Sequence, residues 1–350
     1  MPPVEELVQA LLDPGAYPGS PSRVTLMQTG NSLIFLVGRY VYKVKKPVSL
    51  GYLDYSTLEK RKFYCEREVT LNRRLCGDAY LGVYAIVQRA GRMVVGGEGE
   101  IIEYAIKMRY LPQERMLDYL LGKGKVSAEM IKAIARKMAD FHKNAETSPT
   151  IDRYGTLEIV ITNCEENFSR TERYIGSALS AETYKRLKSY TNGFIEANAD
   201  LFRKRVAEGR IRDCHGDLHA AHICFTHSTS SFGFAQDKSG QADDICIYDC
   251  IEFNDRFRYC DVASEIAFLA MDLDNYGRAD LSKVFVDSYV SLSGDRELMK
   301  LLNFYKCYRA YVRAKVACFT LDDTLISPEE RAKATAAARK YFELAETYTA

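Results

Sequence analysis

The stretch Cys214-His215-Gly216-Asp217-Leu218-His219-Ala220-Ala221-His222-Ile223, followed by the apolar run Ile245-Cys246-Ile247-Tyr248 ending in Asp249, constrains this chain more than any other part of it. It sets a carboxylate in a histidine-rich loop and a second at the end of a buried-type strand, so that across a hairpin the two can face one cleft. Phosphoryl transfer asks little covalent chemistry of a protein. It needs a carboxylate to orient the acceptor hydroxyl, groups that bind a divalent metal, and a cation on the nucleotide phosphates. Asp217 suits the first role, and His222 with Asp249 the second.

The cation is sought in the first hundred residues. In Val41-Tyr42-Lys43-Val44-Lys45, strand alternation places Lys43 and Lys45 on one face. A lysine on a sheet is ordinarily just solvated. Glu68 changes the balance, because Tyr64 to Leu75 has the apolar spacing of an amphipathic helix that follows the strands. Thr29-Gly30-Asn31-Ser32 reads as a turn whose backbone amides and Ser32 could reach phosphate, although a single glycine falls short of a glycine-rich fingerprint. A plain turn is the competing reading.

His215, Asp217 and, five positions after Asp217, His222 occupy the pattern of the protein-kinase catalytic loop, with Asp249 at the place of the magnesium-binding Asp. Asp261 follows twelve residues later in Tyr259-Cys260-Asp261-Val262-Ala263. On these residues the chain resembles the aminoglycoside phosphotransferase and choline kinase group, small-molecule kinases with a protein-kinase-like fold. Val41 to Arg74, with Lys46-Pro47-Val48 and Leu53 to Arg61, resembles a bacterial aminoglycoside phosphotransferase-like subgroup. The resemblance implies an α+β, two-lobed fold. Residues 1–110 would form a small antiparallel-sheet nucleotide lobe with an N-terminal helix, and 111–350 a larger, mainly helical catalytic and acceptor-binding lobe.

The resemblance also implies roles. Lys43, held by Glu68, would meet the phosphates of ATP or GTP, with Lys45 and Glu66 as respective alternatives. Adenine would lie against Met108 to Leu111, making Met108, Arg109 and Leu111 cofactor-binding candidates beside Ser32; simple core packing is the other reading of Met108. Asp217 would orient the acceptor hydroxyl, His215 would shape its loop, and Asp261 would brace it. His222 departs from the family's asparagine. Magnesium prefers oxygen whereas imidazole suits transition metals, so a Mn2+ preference is open beside Mg2+. Glu252 is a possible replacement oxygen ligand.

Composition bounds the alternatives. A formal charge of +1 gives no global field for nucleic acid, no run of 18 apolar residues exists, and the first residues lack a secretion signal, so a cytoplasmic protein without membrane or nucleic-acid partners is expected. Ten irregularly spaced cysteines without a C-x-x-C are expected to be reduced, with Cys246, Cys250 and Cys260 as small packing residues. Thr226 to Asp244, rich in Ser, Gly, Asp and Gln, reads as an inserted loop near 226–244. Glu172 to Leu187, Tyr190 to Glu208 and most of the chain beyond Val262 read as helical. Gly91 to Gly99 reads as a turn between strands Val83 to Gln88 and Ile101 to Tyr110.

Two other classes compete. His215, Asp217, His219, His222 and His227 could form the metal cluster of a hydrolase, and His222 with the poor glycine loop fits a catalytically weak nucleotide-binding protein. The resemblance implies as acceptor a small molecule bearing a hydroxyl, of the amino-sugar, sugar or amino-alcohol class. Glu265, Asp272 and Asp274 could attract a cationic one, or simply face solvent. The oligomeric state is left open.

Overall fold

The computed structural model describes residues 3–226, 245–323 and 326–350. His227 and most of the expected insertion therefore lie outside the described residues. The chain divides into two compact units, one built from residues up to Tyr119 together with the described part of 221–255, the other from Leu120–Ala220 and Arg256–Ala350.

The first unit holds helix α1 (Val4–Leu12), strands β1 (Val24–Gln28), β2 (Ser32–Val37) and β3 (Tyr40–Lys45), helix α2 (Leu58–Cys76), and strands β4 (Tyr80–Arg89), β5 (Arg92–Val95) and β6 (Glu100–Arg109). The strands form one antiparallel sheet in the order β1-β2-β3-β6-β4-β5. Alternation decides its faces. Leu33, Phe35, Val37, Tyr42 and Val44 pack with Leu7 and Leu11 of α1 on one side, while Ile106 and Met108 pack with Cys65 and Val69 of α2 on the other.

α2 begins earlier than its apolar periodicity suggests, because Thr57 accepts from the Lys60 amide and caps it. β5 forms where a turn was expected. Only four residues long, it completes a hairpin in the register Ile86↔Val95 to Arg89↔Arg92, a length at which turn residues mask strand signals.

Short helix α3 (Leu117–Gly122) lies at the chain boundary between the units. The second unit is mainly helical: α4 (Ala128–Asn144), α5 (Pro149–Asp152), α6 (Leu157–Thr171), α7 (Ala181–Ala197) and α8 (Ala199–Ala207) precede strand β7 (Ile211–Asp213). β8 (Ile223–Phe225) and β9 (Ile245–Ile247) belong to the first unit and pair with each other. After α9 (Asp255–Arg258), β10 (Tyr259–Asp261) pairs with β7, and α10 (Val262–Asn275), α11 (Ala279–Ser293), α12 (Leu298–Thr320) and α13 (Pro328–Thr347) complete the chain. The expected helix from Glu172 is instead interrupted, with Ile175 bridged to Leu179 before Ser180 caps α7. Among the described residues no helix is long and apolar enough to cross a membrane.

β7 feeds the Cys214–His222 loop, so its seating matters. Gly155 makes it possible, since a Cβ there would stand 2.3 Å from Ile211 Cδ1 and Cγ1. Gly155→Ala should destabilise the protein by about 1–3 kcal/mol through overpacking. A thermal melt of the variant checks this, and an unchanged midpoint would mean that Ile211 yields freely.

Candidate active site

In the first unit, Lys43 Nζ lies 2.8 Å from Glu68 Oε1 and 2.7 Å from Asp249 Oδ1. β3 supplies the lysine, the middle of α2 the glutamate, and the turn after β9 the aspartate. Lys45, two residues along the same face, bonds the other Glu68 oxygen at 2.6 Å. It also contacts Glu252 Oε1, which in turn receives the Tyr55 hydroxyl. Glu66 instead faces outward beside Lys62. Both lysines thus converge on Glu68, and Glu66 is no substitute for it.

Exposure separates the lysines. The Lys43 side chain is 15% exposed and that of Lys45 only 1%. Burial works against the charge of Lys43, yet Asp249 and Glu68 hold its pKa well above the ordinary value. Lys45 is raised likewise against burial, by Glu252 and Glu68. The Lys45 side chain is enclosed by protein carboxylates, so Lys43 is the cation able to meet a ligand.

Asp249 has φ 62°, a left-handed conformation that a non-glycine residue rarely adopts. Its amide points to Tyr80 Oη at 3.4 Å, and the Cys250 amide donates to Asn72 Oδ1 at 2.9 Å. Asn72 is itself tied to the Glu68 carbonyl. His222 Nε2 lies 3.6 Å from Asp249 Oδ2. One imidazole nitrogen and one carboxylate at that spacing suit a divalent cation that accepts nitrogen as well as oxygen. Glu252 is unsuited to be the replacement ligand, because it is 5% exposed and engaged by Lys45 and Tyr55.

The other expected nucleotide contacts are mixed. Met108 is buried in the apolar cluster under α2, with Leu111 packed against it. The Arg109 guanidinium turns to the Asp78 carbonyl. Ser32 is 1% exposed and its hydroxyl donates to Asn31 Oδ1, so this side chain is not presented to a phosphate. Cys76 and Cys246 are joined as a disulfide between α2 and β9, in place of the expected free thiols; the other eight cysteines form no disulfide among the described residues.

In the second unit, the loop carrying Asp217 is held from beneath. Glu265 of α10, 0% exposed, accepts from the His215 amide at 2.8 Å and the Gly216 amide at 2.6 Å. It also pairs with His142 Nε2, whose Nδ1 meets the Tyr289 hydroxyl. Arg309 donates to the Gly216 carbonyl and Asp272 accepts from the Ala220 amide. Burial opposes the Glu265 charge, but the hydrogen bond and charge of His142, with His215 and the Gly216 amide, bring its pKa down to about 2.

Asp261, expected to brace the loop, instead pairs bidentately with Arg205 and caps α10 through the Ala263 amide. The bracing falls to Glu265, four residues on. His215 is fully buried and its Nδ1 accepts from the Asp217 amide, which suits a loop-shaping role and removes it from a hydrolytic metal cluster. The Asp217 side chain keeps 32% exposure, with His219 Nε2 at 3.5 Å from Oδ2 and Arg313 beside His219. The three acids considered for an acceptor are all otherwise employed, Asp274 by Lys306 and Tyr348. The loop signal in the sequence could not single out Glu265, because an acidic residue in an apolar helix has no spacing rule that names its partner.

The fold is that of small-molecule phosphotransferases with a protein-kinase-like architecture. A choline/ethanolamine kinase family protein from Mesorhizobium loti superposes with a TM-score of 0.52 at 12% identity, covering 99% of both chains. The GDP complex of aminoglycoside 2'-phosphotransferase-IIIa gives 0.51 at 13% identity over 96% of this chain and 98% of the other. An amicoumacin kinase in complex with AMP-PNP, Ca2+ and Ami gives 0.55 at 12% identity over 98% and 94%. In sequence, the chain is 32% identical over 295 residues to uncharacterized proteins of Mycobacterium tuberculosis and Mycobacterium bovis, a match covering 84% of this chain and 55% of each relative. The chain therefore spans about half the length of the curated relatives it matches. No family model matches it.

Because the folded-state pKa of Glu265 lies below its ordinary 4.5, its stabilisation is complete above about pH 4.5 and is lost as pH falls toward 2. Glu265→Gln should be less stable by on the order of 2 kcal/mol at neutral pH, with the difference from wild type narrowing below pH 4.5. Denaturant titrations at several pH values check this. A pH-independent difference would show that the charge on Glu265 is not what holds the loop.

Proposed function

We propose that this protein transfers the γ-phosphoryl group of ATP, or of GTP, to a hydroxyl of a small molecule, acting in the cytoplasm. The observation that carries the reading is the pairing of Lys43 with both Glu68 and Asp249. Kinase-like active sites need a phosphate-binding lysine oriented by a helix glutamate, with a metal-binding aspartate at hand. In this reading Lys43 exchanges its Asp249 partner for nucleotide phosphate while Glu68 keeps it in place. Gly30 and Asn31 offer backbone amides to the same phosphates, and Leu111, partly buried against the apolar cluster, offers a surface for the base.

Asp249 and His222 would hold the divalent cation. When bound, it supplies positive charge to the phosphate oxygens and lowers the repulsion met by an incoming hydroxyl. Asp217 accepts a hydrogen bond from the acceptor hydroxyl and takes its proton late, as a loose transition state requires. Glu265 and Arg309 keep the Asp217 loop in one conformation, so little reorganisation accompanies transfer.

Asp272 and Asp274 serve structural partners and so leave no carboxylate of their own for a cationic acceptor. Labelled ATP screened against sugars, amino alcohols, aminoglycosides and other hydroxyl-bearing metabolites identifies the acceptor. With that acceptor, Lys43→Met should lower kcat/KM by about 10²–10³-fold through loss of charge stabilisation. Asp217→Asn should abolish transfer while leaving AMP-PNP binding intact. Absence of nucleotide binding, or nucleotide-independent hydrolysis sensitive to chelators, would contradict the proposal.

A further inference from the structure

We infer that Lys45, Tyr55 and Glu252 form a positioning clamp, which fixes the backbone following Asp249 and thereby sets how well its carboxylate is presented to a divalent cation. The clamp touches neither nucleotide nor metal. Its consequence for the metal rests on the phosphotransfer reading, whereas the clamp itself rests on geometry alone.

Lys45 demands an explanation. An ammonium 1% exposed cannot reach a solvent-borne phosphate, and burying one is expensive unless it is paired and hydrogen-bonded. Here it bonds Glu68 Oε2, Glu252 Oε1 and the Tyr55 hydroxyl, and lies 4.7 Å from the centre of the Tyr55 ring. Tyr55 is fixed in turn, because Arg61 donates to its carbonyl and is itself locked on Glu103. The lysine therefore serves as a rigid internal anchor.

What it anchors is the segment leaving Asp249. A left-handed conformation at a non-glycine residue costs roughly 1–2 kcal/mol, so neighbouring contacts must hold it. Two are backbone amides, bound by Tyr80 and Asn72. The third is the Glu252 side chain, fastened to β3 two residues from Lys43. One strand thus holds both the phosphate-facing lysine and the chain beyond the metal-facing aspartate.

Charge arithmetic points the same way. Lys43 and Lys45 face Glu68, Asp249 and Glu252. With Asp249 committed to a cation, the rest pair off without remainder, Lys43 with Glu68 and Lys45 with Glu252.

The test compares wild type with Tyr55→Phe and with the double variant Lys45→Met/Glu252→Gln. The double variant removes one charge of each sign and avoids leaving a lone buried carboxylate, and the tyrosine variant deletes a single hydroxyl. Hydrogen exchange on nucleotide-free protein should accelerate at the 249–252 amides by on the order of tenfold. In calorimetric titrations with AMP-PNP, the Mn2+ concentration for half-maximal binding should rise about tenfold, as for other groups that orient metal ligands. Metal-free AMP-PNP affinity, which depends on Lys43, should change less than about twofold, whereas a merely structural defect would weaken both together. Unaltered exchange at 249–252 overturns the clamp, as does a parallel loss of metal-free and metal-dependent binding. Failure of wild type to bind AMP-PNP at all, with the exchange effect present, overturns the phosphotransfer reading and the metal role drawn from it.

Discussion

Glu68 divides its two carboxylate oxygens between two lysines of one strand, and much of the first unit follows from that arrangement. A carboxylate with no solvent exposure is tolerable only when its charge is matched and its lone pairs are used. Lys43 and Lys45 meet that condition from β3, and in doing so fix where α2 lies on the sheet. Removing one partner of such a buried set typically costs about 3–5 kcal/mol, far more than a surface ion pair contributes. Glu252 balances the second lysine, and Asp249 adds one further carboxylate. The candidate metal-binding aspartate is thereby incorporated into a structural requirement.

α2 organises the segment on its far side by several independent links. Asn72 takes the Cys250 amide, Arg67 pairs with Asp255, and Cys76 is bonded to Cys246. Asn72 and Cys76, four residues apart, share a face of the helix. In the second unit Glu265 plays a comparable part for the Asp217 loop, gathering two backbone amides and an imidazole on one buried carboxylate. In both units a catalytic candidate remains partly exposed while the group that orients it is fully enclosed.

The sequence made the large features legible where period and motif agreed. The β2–β3 hairpin, α2, and the long helices after Val262 follow directly from alternation and from 3.6-residue spacing. Lys43, Glu68 and Asp249 could be named through the family resemblance, whereas strand parity alone puts Lys43 and Lys45 on one face. What stayed hidden depended on long-range partners. Nothing local distinguishes Lys45 as enclosed from Lys43 as accessible, because that difference comes from Tyr55 and Glu252, the latter 207 residues away from Lys45. Ser32 stays hidden for a similar reason, since its strand-end position gives no hint that its hydroxyl is buried. Cys76 and Cys246 lie 170 residues apart, a separation at which no spacing rule predicts pairing. The brace is Glu265 and not Asp261; both are acidic residues at the head of one helix, and only the direction of each side chain tells them apart.

The most direct measurement is a crystal structure of the protein with AMP-PNP and Mn2+, with data collected at the manganese absorption edge. The account predicts an anomalous peak within coordination distance of Asp249 and His222. It also predicts Lys43 Nζ bonded to Glu68 and to a phosphate oxygen, with Lys45 still enclosed by Glu68 and Glu252. Phosphates bound away from Lys43, or manganese held by other residues while Lys43 stays paired to Asp249, would contradict it.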